Sequence, residues 1–190
     1  GVGAAAVTSF AKFEKLELSL KALAEEGEDT GETLKRLQEI AQLPGINLDQ
    51  AANASAQLRT VGFEAAQAEQ ILIGLSKAVT LSSKGPEQLG AVVKQLVQMS
   101  AKGRILQEDL GVIVENVPSI GIALEDAFGS QNIEAIRDTG ISAQAFTGEI
   151  IKAISVNEKF QKATGGLSNE FDNFGQAVQF SLSTLGKSIA

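Results

Sequence analysis

The sequence predicts an all-α protein, a multi-helix globular bundle of about eight to ten short-to-medium helices ending in a longer amphipathic helix. Three observations lead there. Apolar residues recur at helical spacing along nearly the whole chain, as in Phe13, Leu16, Leu20 and Leu23, or Leu34, Leu37, Ile40 and Ala41. No stretch shows the period-two alternation, rich in β-branched residues, of a half-buried strand. The breaks between periodic segments carry the chemistry of helix caps and helix stops.

Taken in order, the first helix closes at Gly27-Glu-Asp-Thr-Gly-Glu32, where Asp29 and Glu32 supply a D-x-x-E capping pattern for the second. Leu43-Pro44-Gly45 stops the second helix, since a proline disfavours α geometry in the residue before it. Asn47 or Asp49 caps a third, which runs through Ala51, Ala54, Leu58 and Val61. At Gly62-Phe63 the glycine takes positive φ and the phenylalanine folds back as the hydrophobic contact of a left-handed helix end. A fourth helix carries Ala68, Ile71, Leu72, Leu75 and Val79. Ser83-Lys-Gly-Pro86 separates it from a fifth, in which Pro86 takes the first helical position and Leu89, Val92, Val93, Leu96 and Met99 lead to Lys102-Gly103.

Shorter helices are predicted over residues 107–115, 119–128 and 132–138, punctuated by Pro118, Gly129 and Gly140. The apolar run Gly111-Val-Ile-Val114 has the length of a strand, but Glu108, Asp109 and Leu110 before it start a helix. Asp138-Thr-Gly-Ile141 echoes Arg59-Thr-Val-Gly-Phe63, and an Ala/Gln-rich helix follows each. One echo does not make a repeat array. Thr164-Gly-Gly-Leu167 precedes the final helix, whose stripe of Phe171, Phe174, Val178, Leu182, Leu185 and Ile189 is the longest heptad-like seam in the chain. Three units result: a helical lead-in over 1–35, a helical domain over 36–164, and a C-terminal amphipathic helix over 165–190 that continues toward the rest of a longer chain.

Composition narrows function by exclusion. The 190 residues are 44% hydrophobic and 21% charged, which supports a folded core. There is no cysteine and no histidine, so disulfides, thiol nucleophiles, Cys/His zinc sites and histidine-based triads are all excluded. The aromatic residues are nine phenylalanines, a poor supply for stacking platforms, and the net charge of −7 disfavours a phosphate backbone as ligand. No stretch approaches the roughly 18–20 uninterrupted apolar residues of a membrane span, and the start at Gly1 lacks the basic region of a signal peptide.

The motifs that superficially carry chemistry lack their context. Gly1-Val-Gly-Ala-Ala-Ala6 matches the letters of a dinucleotide fingerprint but has no βαβ unit around it. Gly186-Lys-Ser188 lacks both the earlier glycine of a phosphate loop, where Ser181 stands, and the preceding strand. Ser9-Phe-Ala-Lys12 spells S-x-x-K without its companion elements. Asn53-Ala-Ser55 is an incidental glycosylation sequon. The acidic run Glu25, Glu26, Glu28, Asp29 and Glu32 lacks the alternating spacing of a calcium loop and reads as a solvated turn at a helix N-terminus. No catalytic, cofactor-binding or metal-ligating residues are expected.

A resemblance emerges from five distributed stretches: Leu37-Gln-Glu-Ile-Ala-Gln-Leu-Pro-Gly45; Ala56-Gln-Leu-Arg-Thr-Val-Gly-Phe63 with Ala65 to Ala68; Leu96-Val-Gln-Met-Ser-Ala-Lys-Gly-Arg-Ile105 leading into Glu108-Asp-Leu110; Pro118-Ser-Ile-Gly-Ile-Ala-Leu-Glu-Asp-Ala-Phe-Gly129; and Gly165-Gly-Leu-Ser-Asn169 with Phe171. In this order they resemble the tape-measure domain of tailed-phage tail tape measure proteins, over about four-fifths of the chain. The resemblance implies a structural, non-enzymatic segment of a longer protein that sits in the tail lumen, whose length sets the tail length, and which is assembled in the bacterial cytoplasm. It also implies tail tube subunits, tail assembly chaperones and tail tip or baseplate proteins as partners, with other copies of the chain alongside, and no cofactor.

Helix arithmetic qualifies that picture, because a ruler needs length proportional to residue number and a continuous helix gives about 1.5 Å per residue. Nineteen glycines and three prolines break this segment into short capped helices, so it is expected to act as a folded docking or nucleating module beside an extended ruler. Contact surfaces are expected at the Phe171-to-Ile189 stripe, whose simplest role is to cover the domain's own core, and at the Leu43-Pro44-Gly45 turn, whose simplest role is a helix stop. The competing reading is a helical effector or pore-forming, membrane-active module, which the Gly/Ala-rich amphipathic helices also fit.

Overall fold

A computed structural model describes residues 14–165. Regular structure among them is helical: α1 (14–23), α2 (Thr30–Ile40), α3 (Leu48–Thr60), α4 (Ala65–Leu81), α5 (Pro86–Lys102), α6 (Gln107–Asn116), α7 (Ile120–Phe128), α8 (Ile133–Asp138), α9 (Ala143–Val156) and α10 (Glu158–Ala163). The predicted all-α bundle is the one observed. The predicted final helix, with Phe171, Phe174, Val178, Leu182, Leu185 and Ile189, lies outside the described residues.

Most helix boundaries arise where local chemistry places them. Asp29 caps α2 by accepting from the backbone N–H groups of Gly31 and Glu32, and Asn47 rather than Asp49 caps α3 through the N–H of Gln50. After α3, Gly62 has φ +94°, its N–H bonds Arg59 O, and the Phe63 N–H reaches back to Leu58 O while its ring is buried. This is a Schellman end with its hydrophobic contact. Gly103 ends α5 the same way, with the Arg104 N–H on Met99 O. Pro86 opens α5, preceded by Gly85, whose N–H is taken by the Gln88 side chain. At the end of α4 the left-handed position falls on exposed Ser83, at φ +54°.

One boundary has no counterpart in the sequence reading. Asn157 ends α9 and starts α10, its Oδ1 accepting from the Lys159 N–H and its Nδ2 donating to Asp126 Oδ2. No glycine or proline marks the break. Gln161 Nε2 turns back to the carbonyls of Ile154 and Ser155, so a side chain satisfies the backbone groups that the break leaves open.

The bundle is organised around α4, whose residues from Ile71 to Val79 are all buried, including Gly74, Ser76 and Lys77. A helix covered all round needs neighbours on every side, and α2, α3, α5, α9 and α10 supply them. Two of its enclosed polar side chains have partners: Ser76 Oγ donates to Pro44 O, and Lys77 Nζ to Gln161 Oε1 at 2.7 Å. Gly74 brings α9 close, since a Cβ there would lie 2.8 Å from Ile151 Cδ1. On the α7–α9 side, Phe128 and Phe146 stack with ring centroids 5.6 Å apart. Leu75, Val92, Ile113 and Ile150 help to line an apolar void of about 10 Å³, at the lower limit for one water molecule.

Two stability predictions follow from this geometry. Ser83→Gly relieves the left-handed strain and should raise stability by about 0.5–1 kcal/mol in urea unfolding. Gly74→Ala should add about 1 kcal/mol in an Ile151→Val background, which lacks the obstructing Cδ1, and less than that in the wild type. A double-mutant cycle measures the coupling.

Candidate functional site: an ion-pair clasp at the α1–α2 turn

Buried charge is concentrated where the α1–α2 turn meets α2, α3 and α4. Arg59, on the inner face of α3 with its side chain only 3% exposed, reaches the turn from below. Its Nη1 donates to Glu28 Oε1 at 3.0 Å, its Nη2 to Glu28 Oε2 at 2.5 Å, and Nη2 also to Leu23 O at 2.6 Å. One guanidinium therefore forks onto a carboxylate and also satisfies a carbonyl at the open C-terminal end of α1. A second pair lies alongside. Arg36 Nε, on α2, donates to both oxygens of Glu69 on α4 at 3.0 Å, and the Glu69 side chain is 1% exposed.

Thr33 joins the two pairs. Its hydroxyl donates to Glu28 Oε1 or to Asp29 O and accepts from Arg36 Nη2 at 3.1 Å. Glu32 approaches Arg36 from the solvent side at 3.6 Å. The environments push the two carboxylates in opposite directions. Burial raises the Glu69 carboxyl above its ordinary value, and Arg36 only partly opposes this. Burial also works upward on Glu28, but hydrogen bonds from Arg59, the backbone at Glu25 and Thr33 outweigh it and hold this carboxyl below the usual range.

The acidic run thus needs correction at one residue. Glu25, Glu26 and Glu32 are exposed and Asp29 caps α2, as a solvated turn requires, but Glu28 points inward to a buried arginine. Sequence reasoning missed Arg36, Arg59 and Glu69 as partners. The available signal was Glu69 directly after Ala68, a charge on the border of an apolar face, and such a residue on an isolated helix reads as solvated. Chemically, each carboxylate and guanidinium of the cluster is engaged by another member. The arrangement fixes helices against one another, and no group of acidic residues among those described is placed to hold a metal ion.

The predicted turn, Leu43-Pro44-Gly45, is pinned to α4. Leu43 is buried and Pro44 is exposed, while Pro44 O accepts from Ser76 Oγ and Thr80 Oγ1. Gly45 has φ +81°, and a Cβ there would stand 3.0 Å from Val79 Cγ1. The sequon serine, Ser55, is buried in α3. No described helix is long and apolar enough to cross a membrane.

Short capped helices around a central helix that is enclosed from Ile71 to Val79, with buried charges clasped to one another, define a helix-packing module. The chain belongs to the tape measure protein family, whose model matches residues 4–187. It is 26% identical over 163 residues to the probable tape measure proteins of Lactococcus phages p2 and SK1. That alignment covers 82% of this chain and 16% of each relative, so the chain spans about one-sixth of their length. No solved structure matches.

The clasp predicts a signed response to pH. Glu69, with its pKa raised on folding, favours the fold below its unfolded pKa and loses that contribution as pH rises through the folded value. Glu28, with its pKa lowered, favours the fold above its unfolded pKa and loses that contribution as pH falls through the folded value. Arg36→Met, which strands the Glu69 carboxylate, should cost about 3–5 kcal/mol at pH 7. Most of this loss should vanish near pH ~4, where a carboxyl takes up its proton. Arg36→Met with Glu69→Met should recover most of it at pH 7, as urea unfolding at the two pH values would show.

Proposed function

We propose that this segment is a folded, non-enzymatic module of a phage tail tape measure protein, and that the longer protein containing it governs tail length and the assembly of the tail tube. The family match across nearly the whole chain carries this reading. Its place in the virion is the tail lumen, reached after assembly in the host cytoplasm. Tail tube subunits, assembly chaperones and tip or baseplate proteins are its partners, and further copies of the chain lie beside it.

Helix lengths support a division of labour within such a protein. The longest helices with both ends described, α4 and α5, have 17 residues each, which is about 26 Å of helix. As one continuous helix, 190 residues would span about 285 Å. Folding back on itself makes the segment a poor ruler and a good docking body. Its contacts are assigned to the Phe171, Phe174, Val178, Leu182, Leu185 and Ile189 stripe and to the exposed edge of the Leu43-Pro44-Gly45 turn.

In-frame removal of this module from the full-length protein should block or disorder tube assembly. Removing an equal number of residues from a region of extended helix should only shorten the tail, by about 1.5 Å per residue. Electron microscopy of tails from the two deletions decides between them, and proportional shortening in both would eliminate the docking role.

A further inference from the structure

We propose that residues 14–28 form an arm that opens as a unit from an otherwise intact bundle, with Arg59 as the latch that holds it shut.

The arm is thinly attached. Of α1, Leu16 and Leu20 enter the core, whereas Leu18 is 62% exposed and Glu14, Lys15, Ser19, Lys21 and Ala22 face solvent. The turn after α1 bonds largely to itself: Ala24 N–H to Lys21 O, Glu28 N–H to Glu25 O, and Glu25 N–H to Glu28 Oε2. Among the described residues, polar attachment to the bundle converges on one place, where Arg59 holds Leu23 O and both oxygens of Glu28 and where Thr33 meets Glu28. Beyond the arm, α2 is secured independently by Leu34, Leu37 and Ile40 in the core and by Arg36 on Glu69. Few buried apolar contacts and a localised set of ties are the marks of a segment that opens below the global unfolding free energy.

Arg59 makes the attachment conditional. Its guanidinium is buried, so without the Glu28 charge it loses its hydrogen-bonded counter-ion and keeps only a longer-range attraction to Glu69, and opening the arm returns it to water. Glu28 faces Arg59 from α3, Thr33 and Arg36 from α2, and Glu69 from α4, with Glu32 at the rim. Glu69 takes up its proton at higher pH but binds Arg36 rather than the arm, so its titration precedes opening. The depressed pKa of Glu28 keeps the latch closed until pH falls below the ordinary carboxylate range.

The test is site-resolved amide hydrogen exchange on the 190-residue chain, corrected for intrinsic rates, with tryptic cleavage after Lys21 as a second readout. At pH 7, Glu28→Gln should speed exchange across 14–23 at least about tenfold and leave α4 and α9 within about twofold of the wild type. Arg59→Lys, which keeps the charge but loses the fork, should give an intermediate rate. In the wild type, acid should open 14–23 before α4, and in Glu28→Gln the faster exchange of 14–23 should no longer show that acid step. Equal acceleration in α1, α4 and α9 would show global unfolding and overturn the proposal, as would unchanged exchange of α1 in Glu28→Gln. If that variant does not fold, the wild-type acid series decides, because simultaneous loss of α1 and α4 protection rejects the latch.

Discussion

The structure depends on the burial of α4 from every side. An α-helix in a small domain normally keeps one face in water, and burying the whole circumference requires at least as many neighbours as there are faces to cover. This requirement explains features that are otherwise unrelated. Gly74 lets α9 approach, the Pro44 carbonyl meets Ser76, and Gln161 of α10 accepts from Lys77. Ser119 at the start of α7 donates its hydroxyl to Ala78 O at 2.7 Å. Each contact either makes room for a neighbour or satisfies a polar group that the neighbour has cut off from water.

The ion-pair clasp is a consequence of the same burial. Glu69 is itself buried two residues before the stretch where α4 becomes wholly enclosed, so its carboxylate needs a charged partner that travels with an adjacent helix. Arg36 on α2 provides it, and Thr33, one helical turn earlier, ties that pair to Glu28 and Arg59. Pairs of this kind add little net stability over apolar packing, but their rupture is costly. They therefore penalise arrangements in which α2, α3 and α4 meet in another register. The buried hydroxyl of Ser55 and the amide of Gln70, which have no partner in the structure, show that polar satisfaction is less complete elsewhere in the core.

This segment of a tape measure protein family member gains little length from its residues. Interrupting the helix nine times between residue 23 and residue 158 turns an extended element into a body with faces.

Helix identity and most helix ends were legible in the residues because those signals are local. A proline at a first turn, an aspartate at an N-cap and a glycine with positive φ act within four or five residues, and Pro86, Asp29 and Gly62 each stand where their chemistry places them. The break at Asn157 escaped because its backbone groups are satisfied by the side chain of Gln161, folded back from the next helix, and no glycine or proline marks it. The clasp escaped for a stronger version of the same reason. Glu28 and Arg59 are 31 positions apart, and Arg36 and Glu69 are 33. Periodicity shows which face of a helix is apolar, but it is blind to which other helix arrives to cover a polar one. That pairing was settled by the packing around α4, where removing water made each buried charge select a partner from whatever the neighbouring helices carried.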